Sequence, residues 1–179
     1  MAITCSIFIA TSLDGFIARK NGELDWLIGS ANTEGGEDYG YQEFISSIDT
    51  LVMGRNTFER VLNFNEWPYA GKKVVVLSSG APRIPDSLSD SVEVMSGTPV
   101  EVVRRLSGRG ARHVYVDGGK TIQGFLRAGL IQDMTITRIP ILLGDGIPLF
   151  GELDRDMMFH HVETKTYGNG FVQSTYKAV

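Results

Sequence analysis

The sequence has few of the residues from which metal sites and covalent active sites are built. It contains a single cysteine, Cys5, so no disulfide can form within the chain. Cys5 stands in a run of strand-forming residues, which favours a small core residue over a nucleophile. The three histidines, His113, His160 and His161, have no cysteine or carboxylate at metal-ligand spacing, and we expect structural roles for them. These shortages predict no metal centre.

Long apolar runs and a strong charge of either sign are also missing. The longest apolar runs are far too short to cross a membrane, and the net charge is only −4. The first residues lack the basic segment and apolar core of a signal peptide. We therefore expect no nucleic-acid or membrane partner and a reducing, cytoplasmic setting.

The composition and length that remain are those of an ordinary globular protein. The chain has 179 residues, of which 42% are hydrophobic, and this suffices for a substantial core. We find no internal repeat, linker or low-complexity segment. We expect a single domain over residues 1–179.

Strand and helix patterns alternate as far as residue 130. Strand-forming apolar runs occur at residues 3–10, 16–18, 51–53, 73–78, 92–94 and 113–116. Helical spacing occurs at about 37–48, 57–62, 98–108 and 122–130, the third of these with Thr98 as N-cap and Glu101 completing a capping box. Loops are predicted at 29–36 and 79–91. Beyond residue 130, two alternating runs around Gly168-Asn169-Gly170 predict a hairpin. This order predicts an α/β fold with helices on both faces of a mixed sheet.

The most informative segment is the strand–helix turn Leu51-Val-Met-Gly-Arg-Asn-Thr-Phe-Glu59. We expect Asn56 to cap the helix, with Glu59 as its capping-box partner. A helix N-terminus attracts anions, Gly54 lets a ligand approach the backbone, and Arg55 suits phosphate. Taken alone, the segment is equally compatible with a turn that binds nothing.

A second turn of the same design follows the strand that ends at Val116. Its sequence is Asp-Gly-Gly-Lys-Thr, at 117–121, and the paired glycines suit a pyrophosphate against the backbone. It is not a P-loop, because that motif needs glycine where this chain has Val114. A tight turn that only requires positive φ is the alternative. Two such turns together favour a phosphorylated cofactor.

Two further contacts are less specific. The hydroxyls of Ser78 and Ser79 follow the Val-rich strand and can hold the adenosine part of a cofactor, or they can simply end the strand. Arg83, in the next loop, is better explained as a solvated side chain.

Five segments, in order, resemble the dihydrofolate reductase-like superfamily. They are Ala-Thr-Ser-Leu-Asp-Gly-Phe-Ile-Ala at 10–18, Val-Met-Gly-Arg-Asn-Thr-Phe-Glu at 52–59, Val-Val-Leu-Ser-Ser at 75–79, Val-Asp-Gly-Gly at 116–119 and Pro-Ile-Leu-Leu-Gly-Asp-Gly-Ile-Pro-Leu-Phe at 140–150. The first and last are more similar to the RibD C-terminal branch, the riboflavin-pathway pyrimidine reductases, than to true dihydrofolate reductase. No segment matches the deaminase domain that often precedes this branch. The resemblance covers residues 3 to 177 and implies a three-layer fold with a mostly parallel sheet and a C-terminal antiparallel hairpin.

The resemblance also implies an NADPH-dependent reductase that transfers hydride to a small nitrogen heterocycle. The substrate would be a 5-amino-6-(5-phosphoribosylamino)uracil-like pyrimidine or a dihydrofolate-like pterin, and the alternative is a non-catalytic NADPH- or nucleotide-binding module. Arg55 beside an extra phosphate dianion is a physical reason to expect NADPH over NADH. The expected cofactor-binding residues are Ala10, Gly15, Phe16, Gly54, Arg55, Asn56, Thr57, Ser78, Ser79, Gly118, Gly119, Lys120 and Thr121.

Asp38 is the candidate for a catalytic, substrate-orienting carboxylate. Its spacing from Tyr41 and Ile45 extends the apolar face of the predicted helix, and in the resemblance it falls where the folate branch carries its pterin-binding carboxylate. The alternative is that Glu37 and Asp38 only favour the positive helix end. We expect Trp26 either to wall the substrate pocket or to serve as a buried anchor.

The resemblance implies a homodimer, because sheets of the riboflavin-pathway relatives associate in pairs. Apolar residues Ile139, Ile141, Leu142 and Leu143 would supply a patch to bury. The competing explanation is that they complete the core of a monomer.

Overall fold

The computed structural model describes residues 3–30 and 36–179. The strands are β1 (Thr4–Thr11), β2 (Phe16–Ala18), β3 (Thr50–Gly54), β4 (Lys73–Leu77), β5 (Val92–Met95), β6 (His113–Asp117), β7 (Asp133–Arg138), β8 (Ile147–Pro148), β9 (Phe159–Thr166) and β10 (Val172–Ala178). The helices are α1 (Asp25–Ser30), α2 (Tyr41–Ser47), α3 (Arg55–Val61), α4 (Pro99–Gly108) and α5 (Gly119–Arg127). A short 3-10 turn, Asp86–Leu88, interrupts the predicted loop at 79–91.

Eight of the strands form one mixed sheet in the order β5-β4-β3-β6-β1-β7-β10-β9. Neighbours from β5 to β7 are parallel, and β10 runs antiparallel to both β7 and β9. Strands β2 and β8 form a separate antiparallel pair. The mostly parallel sheet with a C-terminal hairpin, expected from the sequence, is confirmed.

Two apolar layers cover the faces of this sheet, because successive strand residues point to opposite sides. On one side, Val52 and Val116 pack with residues of α4 and α5 such as Leu106 and Phe125. On the other side, Leu51, Met53 and Tyr115 pack with residues of α2 and α3. Central strands buried on both faces explain the near-continuous apolar runs of the sequence. Cys5 lies in the first layer and is buried, as expected of a core residue.

The two helices before and after β3 begin elsewhere than predicted. Helix α2 starts at Tyr41, because Gly40 adopts a left-handed conformation (φ 81°) at its N-cap position. Helix α3 starts at Arg55, directly after the strand, so Gly54 occupies the N-cap position without a side-chain cap. The prediction that Asn56 caps this helix was therefore wrong. Glu59 is not its capping partner and instead accepts a hydrogen bond from Arg55 Nε at 2.6 Å.

Helix α4 begins as predicted. The Thr98 hydroxyl accepts a hydrogen bond from the Glu101 amide, and the Glu101 carboxylate accepts one from the Thr98 amide at 2.8 Å. The predicted loop at 29–36 was wrong at residues 29 and 30, which belong to α1, and residues 31–35 lie outside the described part of the chain.

The apolar stretch proposed as a dimer patch divides between core and surface. Ile139 is 1% exposed and packs with Trp26 and Phe171, whereas Leu142 is 68% exposed. Ile141 and Leu143 pack partly against the same small core. Ile139 therefore completes the core of the chain, and only Leu142 remains as a large exposed apolar side chain of this stretch.

Candidate functional site

The two glycine turns lie side by side, because the strands that carry them are neighbours. In the register between β3 and β6, Met53 pairs with Asp117, so Gly54 and Gly118 follow at adjacent carboxyl ends. Open α/β sheets bind their ligands at such ends. Two segments about sixty residues apart in sequence thus form one site.

At each turn the glycine lies against a threonine of the other turn, and the contact is tighter at Gly118 than at Gly54. Gly118 has φ 90° and ψ 138°, and a Cβ there would overlap the Thr57 hydroxyl. A Cβ at Gly54 would lie 3.1 Å from the Thr121 hydroxyl oxygen. The glycines therefore let the two turns pack against each other, and residues of both turns line one cavity.

A cavity of about 1220 Å³ extends over these turns. This exceeds the roughly 300–1,000 Å³ typical of a single small-molecule site, which leaves room for a cofactor and a second molecule. Most of the residues expected at the site line it. They are Ala10, Asp38, Gly54, Arg55, Asn56, Thr57, Gly118, Gly119, Lys120 and Thr121.

Gly15 and Phe16 do not line this cavity: Gly15 lies in the turn after β1, and Phe16 begins β2. The Phe16 amide donates to the Ser12 hydroxyl at 3.0 Å, and the Ser12 amide donates to the Phe16 carbonyl at 2.9 Å. Asp14 of the same turn accepts hydrogen bonds from Ser12 Oγ and from the Gly144 amide. Contact between Gly15 or Phe16 and a cofactor stays a prediction.

Ser78 and Ser79 also lie outside the cavity lining. The Ser78 hydroxyl accepts a hydrogen bond from the Gly80 amide at 3.1 Å and closes the turn that ends β4. The Arg55 guanidinium reaches the same turn, since a Cβ at Gly80 would lie 3.9 Å from Arg55 Nη1. Arg55 therefore connects the cavity to the serine turn.

Trp26 is 4% exposed and packs against Ile139 and Phe171, which themselves line the cavity. It supports the cavity wall from behind, which agrees with a buried anchor. Direct contact with substrate stays a prediction.

Asp38 lines the cavity but does not continue the apolar face of a helix, so that part of the prediction was wrong. It precedes α2, and its carboxylate accepts hydrogen bonds from the amides of Gly40 at 3.0 Å and Gln42 at 2.8 Å. These bonds lower the pKa of Asp38 below its ordinary value. Asp38 thus stabilises the start of α2, the alternative considered above, and presents an ionised carboxylate at neutral pH.

Asp117 is a second cavity-lining carboxylate, which sequence reasoning treated only as part of a turn. Burial raises its pKa to about 6, and a 2.8 Å hydrogen bond from the Gly118 amide opposes that rise. The pKa values of Tyr41, Tyr69 and Tyr115 are raised by their own burial and, to a smaller extent, by the negative charge of Asp117. A carboxyl that titrates near neutrality beside a ligand cavity is suited to proton transfer. An aspartate directly before paired glycines at a strand end was the available signal.

Tyr39 is a third residue of the cavity wall that the sequence did not indicate. It is the one described residue other than glycine with positive φ, at 56°. Gln173, which is 6% exposed, donates a hydrogen bond to the Tyr39 carbonyl at 3.0 Å. Asn169 donates one to the Tyr39 hydroxyl at 2.9 Å. The C-terminal hairpin therefore fixes the wall that carries Asp38.

No three His, Cys, Asp or Glu side chains within residues 3–30 and 36–179 are grouped so that they could hold a metal ion. His113 Nε2 lies 2.8 Å from the Ser6 hydroxyl at the far side of the sheet from α5. Across the described helices, none is both long and apolar enough to span a membrane.

Comparison of the sequence and the structure with known proteins points to one family. The model of the RibD C-terminal domain matches residues 4–173. A protein of Shewanella sp. PV-4 that is named for riboflavin biosynthesis is 43% identical, with a TM-score of 0.92 over 99% of both chains.

Two more distant structures share the fold. The diaminohydroxyphosphoribosylaminopyrimidine deaminase/5-amino-6-(5-phosphoribosylamino)uracil reductase of Thermotoga maritima is 15% identical with a TM-score of 0.73, and the match covers 99% of this chain and 57% of that one. Dihydrofolate reductase from Enterococcus faecalis, complexed with NADP(H), is 20% identical with a TM-score of 0.66, covering 98% and 96%. The dihydrofolate reductase-like fold expected from the sequence is confirmed.

Proposed function

We propose that this chain, which belongs to the RibD C-terminal domain family, is an NADPH-dependent reductase that transfers hydride to a small nitrogen heterocycle. The observation that carries the proposal is the meeting of Gly54 and Gly118 at adjacent strand ends, over a cavity large enough for two ligands. Relatives of the same fold act as a uracil reductase or bind NADP(H), according to their names. The substrate is a pyrimidine of the 5-amino-6-(5-phosphoribosylamino)uracil kind or a dihydrofolate-like pterin.

The residues around the glycine turns fit the phosphates of NADPH. The bare backbone at Gly118 and Gly119 begins helix α5, whose amides and positive dipole end favour a pyrophosphate. Lys120 adds a positive charge at the cavity, and Arg55 adds a guanidinium suited to the 2′-phosphate. When bound, NADPH supplies the hydride.

The protein's own part is to orient the heterocycle and to hold a proton. Asp38, ionised at neutral pH, is an acceptor for ring N–H or amino groups. Asp117, with its pKa raised to about 6, carries a proton over part of the physiological range and can deliver it to the nitrogen of a C=N bond whose carbon accepts the hydride. Catalytic roles follow from this pairing: Asp38 positions the ring and Asp117 holds the proton.

Fluorescence titration with NADPH, followed by turnover assays, tests the proposal. We expect saturable NADPH binding and oxidation of the cofactor in the presence of an aminopyrimidine, dihydrofolate or another pterin. Absence of saturable binding at millimolar NADPH would overturn the proposal. Tight NADPH binding without oxidation against the whole panel would instead favour the non-catalytic binding module.

A further inference from the structure

We infer that Arg60 forms a subsite for an anionic group on the tail of the molecule that is reduced. This inference rests on the proposed function, because it assigns a part of the same cavity to the second ligand. Arg60 lies on α3, five residues beyond Arg55, which places it about 7.5 Å further along the helix axis. It lines the cavity and is half-buried.

The turn before α1 holds the Arg60 guanidinium in place. Arg60 Nη2 donates to the Asn21 carbonyl at 2.9 Å. The guanidinium also lies against Gly22, where a Cβ would come within 2.9 Å of Nη2. Gly22 has φ 82°, so both its conformation and its missing side chain accommodate this arginine. The side chain is therefore fixed before any ligand arrives, and one carbonyl uses only part of its five-donor capacity.

The charge of Arg60 is not neutralised by the described protein. Four cations among the described residues line the cavity, and two are ion-paired: Arg55 with Glu59 and Lys20 with Asp145. Within residues 3–30 and 36–179, no carboxylate lies within 4 Å of Arg60 or Lys120. Lys120 adjoins the glycine turn and is assigned to the cofactor. Arg60 is the remaining cation, available to the second molecule.

Carboxylates line the same cavity at Glu37 and Asp38, in addition to Asp117. A ligand that satisfies both kinds of group carries N–H donors at one end and an anion at the other. A phosphorylated aminopyrimidine and a pterin with a glutamate tail both have this character. The shared chemistry is an oxyanion, phosphate or carboxylate, which pairs well with a guanidinium.

The test compares matched ligands on the protein loaded with NADP+. One pair is 5-amino-6-(5-phosphoribosylamino)uracil and its dephosphorylated nucleoside. The other is dihydrofolate and dihydrobiopterin, which lacks the whole aminobenzoylglutamate tail. We expect the anionic member of one pair to bind about 10-fold or more tightly than its neutral partner, as expected for charged hydrogen bonds. The pair that shows the difference identifies the tail as phosphate or carboxylate.

Two variants locate the effect. Arg60→Gln should remove most of the difference between the members of that pair and leave the neutral ligand and NADPH unaffected, while Arg60→Lys should keep part of it. Equal losses for both members would mean that Arg60 only holds the turn at Asn21, and would overturn the inference. So would failure of every anionic ligand to bind the NADP+-loaded protein. Failure to bind NADPH at all would instead overturn the proposed function.

Discussion

The hydroxyl of Thr57 occupies the space into which a side chain at Gly118 would project. The same relationship holds in the other direction between Thr121 and Gly54, at a looser 3.1 Å. The first turns of helices α3 and α5 therefore pack together, with Thr57 against Gly118 and Thr121 against Gly54. This close packing brings both turns to the same cavity.

Gly118→Ala should impair both folding and cofactor binding. The new methyl would overlap Thr57 and occupy a φ of 90° that residues with a side chain avoid, so we expect a loss of about 1–3 kcal/mol from strain alone and a larger total. Gly129→Ala is the matched control, since Gly129 has φ 66° but nothing within 4 Å of the added atom. Denaturant unfolding and NADPH titration measure the two effects. Equal losses of stability in both variants would show that Thr57 imposes no steric requirement.

Arg55→Ala should weaken NADPH by about 10-fold to 100-fold and NADH by less than about 3-fold, because only NADPH offers the 2′-phosphate to the guanidinium. Glu59→Gln should strengthen NADPH several-fold, since the Glu59 carboxylate, 2.6 Å from Arg55, competes for the same donors. Fluorescence titrations with both cofactors measure these changes. Similar losses of NADPH and NADH in Arg55→Ala would exclude recognition of the 2′-phosphate by Arg55.

Asp117→Asn should remove a pH-dependent penalty on stability. Because the pKa of Asp117 is raised from 3.8 to about 6, the folded state binds its proton more tightly than the unfolded state. The stability linked to this proton is fully present below about pH 4 and is lost as the pH rises through 6. Carboxyls with lowered pKa values, such as Asp38 and Glu101, change stability in the opposite direction but are common to both proteins.

We therefore compare the free energy of unfolding of the wild type with that of Asp117→Asn. The difference, wild type minus variant, should decrease as the pH rises from about 4 to 6 and should stay constant above pH 6. Denaturant unfolding at half-unit pH steps measures the difference. A difference that is constant with pH would mean that Asp117 does not titrate in this range.

Gln173→Leu should raise the KM for the heterocycle and leave the Kd for NADPH unchanged. Gln173 holds the carbonyl of Tyr39 and the hydroxyl of Thr137, and losing these bonds should also cost about 1–3 kcal/mol of stability. Ser174→Ala is the control on the same strand, because the Ser174 hydroxyl hydrogen-bonds Thr164 of β9 and not the Tyr39 wall. A loss of kcat with unchanged KM would show that the Tyr39 wall does not position the substrate.

The chain should sediment as a homodimer at micromolar concentration, with twice its 19.7 kDa mass. The edge strand β9 is almost wholly exposed. Two apolar side chains, Val162 on β9 and Leu142 after β7, are 47% and 68% exposed. Val162→Asp and Leu142→Asp should each favour dissociation of the dimer. Val100→Asp, at an exposed position on α4, is the control. A single species of 19.7 kDa would contradict the prediction.

Local features of the sequence were sufficient to predict much of the fold. Alternating or continuous apolar runs fix which residues a strand buries, and the capping box at Thr98 fixes where α4 begins. Glycine at 118 reflects a backbone conformation that side chains exclude. Strand patterns, the capping box and the positive φ of Gly118 are local, so they can be recognised without knowing the fold, whereas the contact of Thr57 with Gly118 depends on how α3 packs beside α5. The predicted starts of α2 and α3 were wrong, because glycines, Gly40 and Gly54, occupy the N-cap positions in place of polar capping residues.

Membership of the cavity was decided by the tertiary structure. Asp117 lines it because β3 and β6 are neighbours, and Tyr39 is held by Gln173, which lies 134 residues away in the chain. Arg60 lines it because α3 packs beside the turn at Asn21 and Gly22. Distant segments surround Asp117 and bury it, which raises its pKa. Distant segments also decide that no described residue places a counter-charge beside Arg60. The sequence determined by itself where the backbone turns, and strand order and packing determined which charges face the ligands.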